Sequence, residues 1–399
     1  MSIERNDSLK ILLNKFTWIR LGLMIVVVCI LMIGIMGSVT EPTPKNLSVA
    51  FVNEDQGIQL EDDYINIGKI VGDKILKNSS QVLEWSTFDT KDDALDQLNQ
   101  GESYAIFLLP TNFSERAINL VQEPSQRPNI EIIVNEGVQY TAANTTEQSL
   151  NQLSDSVNQI IQNLTLEQVQ NVALTSEQLM SIMEPVEITR EVINAVGPNT
   201  ANGSAPVFIT QVLWLSVFIG SAIFFVSNKK SFSSCDNKYC PLISQLISGS
   251  LLILIAVTTI LVFAEQVLGV SISNFKFTIL YLMVVGFVFY VLQNALLNWM
   301  GLFASPIILL LFLFSIPILS YPIEFLPTVT NQLLYSWIPL RFSVEGLREL
   351  FFFDEVSIWK AIDPLLFIYG FLGLSFMGLS LLKINNNSKS DRKAKEQPM

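Results

Sequence analysis

Histidine is absent from all 399 residues of this sequence, and cysteine occurs only three times. The lack of histidine excludes Ser-His-Asp and Cys-His catalysis and removes the commonest metal ligand in proteins. The sequence also lacks a G-x-x-x-x-G-K-[ST] stretch, which would cradle the phosphates of a nucleotide. We therefore expect no enzyme, no cofactor and no ATP hydrolysis by this polypeptide itself.

Two places in the sequence hold groups of the kind that bind metal ions. Cys235 and Cys240 have four residues between them, but Cys29 falls in an apolar run, so the four ligands of a zinc site are not at hand. Glu54 and Asp55 form an acidic turn after an apolar triplet (AFVNEDQG). Calcium needs six to eight oxygen ligands, and only one further acidic cluster lies nearby, so a capped turn is favoured over a cation site. We predict no metal site.

Charged residues are scarce, at 15% of the chain, while half of the residues are hydrophobic. A soluble chain with an ordinary surface is less apolar than this. Crossing the ~30 Å core of a bilayer takes about 20 apolar residues in a helix. The stretches that meet this length are Trp18–Val39, Val207–Ser227, Leu242–Phe263, Phe277–Leu297, Ala304–Pro322 and Ile362–Leu382. The sequence thus predicts a polytopic α-helical membrane protein with six transmembrane helices.

The distribution of basic residues predicts the orientation of these helices. Twelve of the 24 Lys and Arg flank the spans on the sides that one topology places in the cytoplasm. They are Arg5, Lys10, Lys15, Arg20, Lys229, Lys230, Lys238, Lys383, Lys389, Arg392, Lys393 and Lys395. Both termini are then cytoplasmic, and residues 40–205 lie outside the cell membrane. That segment has 24 Asp and Glu against 8 Lys and Arg, so nucleic acid is not expected as a partner.

The chain divides into five parts on this topology. They are a cytoplasmic segment at 1–17, a first span at 18–39, an extracytoplasmic domain at 40–205, a five-helix membrane domain at 206–383 and a basic cytoplasmic tail at 384–399. The apolar core of the first span, Leu21–Val39, exceeds the ~7–15 residues of a signal peptide. We expect it to remain as an anchor.

The extracytoplasmic domain shows the alternation of an α/β sheet, at 45–138, followed by a helical part at 139–196. Strands are predicted at Leu47–Asn53, Val82–Phe88, Tyr104–Leu109 and Ile130–Asn135, and helices at Ile65–Leu76 and Lys91–Asn99. From Leu150 to Leu164, apolar residues recur in steps of three and four. This spacing predicts a helical hairpin or coiled coil.

Several stretches resemble the YhgE/Pip (phage infection protein) family, a branch of the ABC-2 type permeases. In the extracytoplasmic domain they are Val49–Gly57 (VAFVNEDQG), Ile65–Gly68 (INIG) and Tyr104–Ser114 (YAIFLLPTNFS). In the membrane domain they are Asn202–Pro206 (NGSAP), Leu213–Ser216 (LWLS), Tyr321–Pro327 (YPIEFLP) and Pro339–Arg348 (PLRFSVEGLR). Typical members carry a far longer coiled-coil insert, so the chain is similar to a short form. The plainer ABC-2 exporters with a compact outer domain are equally close in layout.

The resemblance implies the permease subunit of an exporter in the cell (plasma) membrane of a bacterium. The spans contain almost no ionisable residues, which suits an amphipathic or hydrophobic substrate. The resemblance also implies partners: a separate ABC ATPase, the lipid bilayer, and a second copy or a related permease subunit. The alternative is an envelope interaction protein, either phage receptor-like or a scaffold associated with type VII secretion. In that case the outer domain is a binding module.

Three groups of residues are candidates for a role in such a transporter. In the predicted cytoplasmic loop 228–241, which otherwise only sets orientation, Lys229, Lys230, Phe232 and Lys238 are candidates for ATPase docking. Between the last two spans the resemblance implies short helices that cap the pathway, so the outer gate candidates are Glu324, Arg341, Glu345 and Arg348. The alternative there is local pairing on an interfacial helix, of Arg341 with Glu345 and of Glu345 with Arg348. Within the spans, four polar residues either bond helix to helix or contact substrate: Gln211, Gln245, Gln293 and Asn294.

Overall fold

The fold is that of a computed structural model, which describes residues 43–60, 63–77, 81–169, 173–232, 240–353 and 358–395 and four separate positions between Ile25 and Met32. Within these ranges, the side chains of residues 168, 228–232, 240–241 and 381–395 are left out of the description.

The N-terminal part is an α/β domain, here called the sheet domain. Its strands are β1 Leu47–Asn53, β2 Ile58–Leu60, β3 Asp63–Ile65, β4 Leu83–Phe88, β5 Ala105–Leu109, β6 Asn129–Asn135 and β7 Glu187–Ile193. Its helices are α1 Ile67–Lys77, α2 Lys91–Asn99, α3 Phe113–Ile118, α4 Tyr140–Gln168 and α5 Ser176–Met183. Five strands form one sheet in the order β4-β1-β5-β6-β7, and β2 pairs with β3. Only β5 and β6 are antiparallel neighbours in the main sheet.

Strand β1 lies between β4 and β5, and its residues Val49–Val52 are all apolar because both faces of the sheet are covered. Val49 and Phe51 pack on one side with residues of α1 and α4. Ala50 and Val52 pack on the other side with residues of α2. The four predicted strands and both predicted helices are therefore present, with their ends shifted by two residues at most.

The helical part differs from the predicted hairpin. The long helix α4 is present and buries Leu150, Val157 and Ile161 in the core of the sheet domain. Of the other apolar residues in the predicted spacing, Leu153 and Ile160 are partly buried and Leu164 is exposed. The chain then returns through the short α5 and the strand β7, which adds to the sheet edge beside β6. The charged residues of β7, Glu187, Arg190 and Glu191, are typical of an edge strand and obscure its alternation in the sequence.

The C-terminal part is a helical bundle. Its helices are α6 Ala205–Phe232, α7 Cys240–Val262, α8 Phe275–Met300, α9 Ser305–Ser320, α10 Pro339–Phe352 and α11 Pro364–Lys395. Among the described residues, three segments are long and apolar enough to cross a membrane: Ala205–Ser227, Leu242–Val267 and Phe275–Ser320. The third contains both α8 and α9, and Pro364–Ser380 is a shorter apolar stretch. Apart from the four separate positions, the predicted first span lies outside the described residues, so six spans and their orientation stay predictions.

Helix α8 lies at the centre of this bundle and packs against α6, α7 and α11. Its Tyr281, Val285 and Phe289 are fully buried. The ring of Phe289 meets Trp214 of α6 edge to face at 4.8 Å. The shorter helix α10 also packs against α8.

Candidate functional site

The sheet domain touches the bundle along residues 319–353, and we call this contact the junction. At the start of the segment, Phe325 is buried in the core of the sheet domain, and Tyr104 Oη donates to Glu324 Oε1 at 2.8 Å. At the end, a Cβ built on Gly137 would lie 2.9 Å from the Cβ of Phe352. The sheet domain therefore contacts the segment before α10 and also the C-terminal end of α10.

Burial controls the electrostatics of the pair formed by Tyr104 and Glu324. It raises the pKa of the Glu324 carboxyl, while the hydrogen bond from Tyr104 acts in the opposite direction. Burial raises the pKa of Tyr104 well above its usual value, and the negative charge of Glu324 adds to this effect. Glu324 Oε2 has no protein partner among the described residues. The carboxyl therefore depends on the tyrosine hydroxyl for its side-chain hydrogen bond.

Helix α10 begins at Pro339, after the extended residue Ile338, and proline is favoured at this first position of a helix. Tyr281 of α8 donates to the carbonyl oxygens of Phe342 and Ser343 at 2.8 and 3.2 Å. The hydroxyls of Ser343 and Thr210 lie 2.9 Å apart, which ties α10 to α6 as well. The helix is thus bonded to two bundle helices rather than resting on a surface.

Gly346 lies in the middle of α10, where glycine costs ~1 kcal/mol relative to alanine. A Cβ at this position would come within 2.2 Å of the Ala361 carbonyl oxygen and 2.3 Å of Tyr281 Oη. No side chain fits in that space without movement of the backbone. The glycine allows α10 to approach α8 closely.

The outer gate candidates fall into separate groups within the junction. Arg341 Nε lies 2.8 Å from Glu345 Oε1, so the predicted pair between these residues is present. Tyr335 Oη donates to the same oxygen at 2.9 Å, and the Arg341 guanidinium lies 4.6 Å from the Tyr335 ring centre. Glu324 instead bonds Tyr104, as described above.

Arg348 does not form the predicted pair with Glu345. Its Nη2 donates to the Leu319 carbonyl oxygen at 3.3 Å. Its Nε and the Oε2 of Glu349 have no protein partner among the described residues. The positive charge of Arg348 nevertheless reaches the sheet domain, where it acts to lower the pKa of Tyr104. Burial of Arg348 on α10 thus brings its charge close to the Tyr104–Glu324 pair.

Three of the four polar candidates within the predicted spans form hydrogen bonds from helix to helix. Gln245 of α7 and Asn298 of α8 exchange two amide hydrogen bonds, each 3.1 Å. Gln293 donates to the Trp214 carbonyl oxygen of α6 at 3.2 Å, and Asn294 donates to Ser221 Oγ at 2.8 Å. Gln211 is buried, and its Nε2 has no protein partner in the described part of the chain. A role for these four residues in a pathway stays a prediction.

The predicted ATPase-docking residues cannot be placed in the same way. Lys229, Lys230 and Phe232 lie in the last turns of α6, where only the backbone is described, and Lys238 is outside the described residues. The helix itself continues to Phe232, five residues beyond the predicted end of the span.

The acidic turn at Glu54 and Asp55 has the geometry of a capped turn. Asp55 Oδ1 accepts from the Ser114 backbone N–H at 2.9 Å, and Oδ2 accepts from the Gly68 N–H at 3.0 Å. The Ser114 hydroxyl donates to Oδ2 at 2.5 Å. Glu54 Oε1 accepts from the Lys91 N–H at the start of α2 at 3.1 Å. Both carboxylates therefore serve helix N-termini, where negative charge is favourable.

An apolar groove with a volume of about 540 Å³ lies between α6, α8, α9, the start of α10, and α11. We call it the tryptophan groove. The residues that shape it include Trp214, Trp299, Trp337, Tyr369, Leu372 and Phe376. The indole N–H groups donate to the carbonyl oxygens of Ile308, Phe376 and Leu333, and the Tyr369 hydroxyl donates to that of Trp337. Since these polar groups already have partners, the groove presents carbon.

A known protein family matches most of this chain. Residues 15–382 match the family described as ABC-2 family transporter protein. The chain belongs to the ABC-2 transporter family. A solved domain assigned to an ABC type-2 transporter from Thermotoga maritima MSB8 is 19% identical, covering 36% of this chain and 84% of its own, with a TM-score of 0.26. The search of curated proteins gave no match.

Membership of the ABC-2 family confirms the expected membrane protein and transport role. Members of this family generally work with a separate ATPase. The YhgE/Pip branch within it stays a prediction.

The sequence alone did not identify the residues of this ABC-2 chain that contact the gate candidates and the helix α10. Tyr104 lies 220 residues before Glu324, and nothing in the sequence around it marks the contact. Tyr281 likewise sits in an apolar run without any distinguishing signal. Gly346 did carry a signal in the sequence, because a glycine inside a helical pattern often has a packing reason.

Proposed function

We propose that this ABC-2 chain is the membrane subunit of an exporter for amphipathic or hydrophobic substrates, driven by a separate ATPase. The observation that carries the proposal is the tryptophan groove, which is large enough for a drug-sized ligand and lined by carbon. From Phe277 to Pro322 the chain has no charged residue. Ion-coupled carriers place charges within the membrane, so this stretch suits an apolar substrate.

The groove and the junction share residues, which suggests how release is controlled. Trp337 and Pro339 line the groove and lead into α10. The sheet domain contacts the chain on both sides of that helix through Phe325 and Gly137. A movement of α10 would therefore change the shape of the groove. We propose that α10 is the gate and that ATP-driven movements between two permease subunits displace it.

Substrate class is tested by narrowing the groove. Leu372 lines it, whereas Leu251 on α7 is an exposed apolar residue outside it. Cells carrying Leu372→Trp should lose protection against those amphipathic compounds that the wild-type chain exports, and Leu251→Trp should behave like wild type. Equal protection by both variants would exclude the groove from the pathway.

Energy coupling is tested at the predicted docking loop. Replacing Ser231–Ser234 with glycine and serine, while keeping every lysine, retains the orientation signal and removes Phe232. We expect normal membrane insertion with loss of the co-purifying ATPase. Undiminished co-purification would move the docking site to another segment, with Ile3–Phe16 as the next candidate.

The second candidate function is an envelope interaction protein. It is favoured by one observation, an exposed apolar face on α5 of the sheet domain. A neighbouring gene for an ATPase with Walker motifs supports transport, and neighbouring secretion genes support the scaffold.

A further inference from the structure

Helix α5 turns an apolar face outward at the edge of the sheet domain. Leu179, Met180 and Met183 are 52%, 65% and 66% exposed, and we call these three residues the methionine face. The helix itself is firmly built: Thr175 and Gln178 form a capping box at its start, which satisfies N-terminal N–H groups. The exposure is therefore a property of an ordered helix and not of a frayed end.

The opposite side of α5 is fixed to the domain. Gln178 Nε2 donates to the Val121 carbonyl oxygen at 2.7 Å, and Ser181 and Ile182 are buried. The methionine face cannot turn inward without breaking these contacts. Two leucines near the end of α4, Leu164 and Leu166, are exposed as well.

The charged residues of the two helices α4 and α5 are all acidic. No Lys or Arg occurs between Arg127 and Arg190, a stretch that includes all of α4 and α5. Four exposed carboxylates in these helices and beside them form no ion pair among the described residues: Asp155, Glu167, Glu177 and Glu184. Glu177 in the first turn of α5 and Glu184 at its C-terminal end thus place unpaired negative charge on the helix that carries the methionine face.

We propose that the methionine face binds a cationic amphipathic helix, that is, a peptide with leucine-like residues on one face and lysine or arginine on the other. Methionine is flexible and polarisable, and it is used where a surface must adapt to different apolar partners. Helices of this kind bind apolar surfaces through residues spaced by three and four. Complementary charge raises the association rate and selects against acidic partners.

The charge also argues against two other occupants. A second copy of the chain would bring like charges together, and an anionic lipid surface would be repelled in the same way. The proposal goes beyond the proposed export function, since peptide binding by α5 requires neither ATP nor the tryptophan groove.

The test uses the full chain in nanodiscs of zwitterionic lipid, with empty nanodiscs as the reference for binding to lipid. The probe is a fluorescent amphipathic helix of leucine and lysine, followed by anisotropy. We expect saturable binding that weakens with added salt. A leucine and glutamate helix with the same apolar pattern should bind at least about tenfold more weakly.

Variants locate the site. Met180→Ser combined with Met183→Ser should weaken binding at least about tenfold without changing the melting temperature. Glu177→Gln combined with Glu184→Gln should weaken binding and reduce its salt dependence. The matched control is Ile70→Ser combined with Leu76→Ser, which removes two other exposed apolar residues, on α1, and should leave binding unchanged.

Three results would overturn the proposal. One is equal binding of the acidic helix, and another is unchanged binding to the doubly substituted methionine variant. The third is the absence of peptide binding together with a dimer that the same methionine variant dissociates, which would make the face a contact between copies.

Discussion

Replacing Tyr104 with phenylalanine tests the bond that joins the sheet domain to the bundle. The ring stays in place, and only the hydroxyl that donates to Glu324 Oε1 is removed. Glu324 Oε2 already lacks a protein partner among the described residues, so the variant leaves the carboxyl without a side-chain donor. Losing a hydrogen bond to a charged group costs ~1.5–3 kcal/mol. The melting temperature should fall by ~3–12 °C.

The measurement is tryptophan-detected thermal unfolding of the full chain in nanodiscs, with Tyr64→Phe as the control. Tyr64 Oη also donates a hydrogen bond, to the Gln56 carbonyl oxygen, but that pair is exposed and neutral. Its loss should lower stability by less than ~1 kcal/mol. In the Glu324→Gln background, Tyr104→Phe should cost ~0.5–1.5 kcal/mol, since the acceptor is then neutral.

The effect of Tyr104→Phe should also grow with pH. Burial raises the pKa of Glu324 in the folded state, so stability from this group is complete below the usual carboxyl pKa and is lost as pH rises through the raised one. The Tyr104 bond opposes that rise, and removing it raises the pKa further. Wild type and variant should therefore differ least in acid and most at neutral pH. An equal loss at every pH, or in both Glu324 backgrounds, would refute the pairing.

Three further predictions concern other parts of the chain. Gly346→Ala should destabilise the protein by ~1–3 kcal/mol through overpacking against Tyr281. The control Gly378→Ala should be neutral or stabilising, since no atom lies within 4 Å of the added Cβ. Equal melting temperatures of the two variants would contradict the close approach of α10. Asp55→Ala should lower the free energy of unfolding by at least ~2 kcal/mol, and Asp73→Ala at an exposed position should change it very little. A chelator should leave the thermal unfolding of the wild-type protein unchanged. A lower melting temperature with the chelator would instead indicate a cation site at Glu54 and Asp55. In a cysteine-free background, Ser125→Cys and Ser176→Cys should react with an impermeant thiol reagent on intact cells and Ser388→Cys should not; labelling at residue 388 would overturn the predicted orientation.

Most of the sheet domain could be predicted because its strands carry local signals. The continuous apolar run of β1 and the acidic first turn of α2 each specify an element without reference to the rest of the chain. Strand β7 could not be found in this way. Its first five residues are exposed and three of them are charged, and only the pairing with β6, more than 50 residues earlier, makes it a strand.

The candidate site was predictable in composition but not in its contacts. The resemblance of Pro339–Arg348 to the family implied a short helix, and α10 is present. The pairing of Arg341 with Glu345 follows from helix geometry, since residues four apart are neighbours. Arg348 and Glu324 find partners outside their own helix or turn, at Leu319 and Tyr104. Such choices depend on tertiary packing, which no local spacing encodes.

The burial of Phe325 inside the sheet domain has a consequence for synthesis of the chain. The ribosome makes β1 to β7 long before it makes Phe325, and α6 to α9 come between. The sheet domain therefore lacks this part of its core until the helices α6 to α9 and the segment that carries Phe325 have been made. The core of the sheet domain is complete only when the helices before Phe325 are in place. In a chain that stalls during insertion, the apolar site of Phe325 would remain open and accessible to chaperones and proteases.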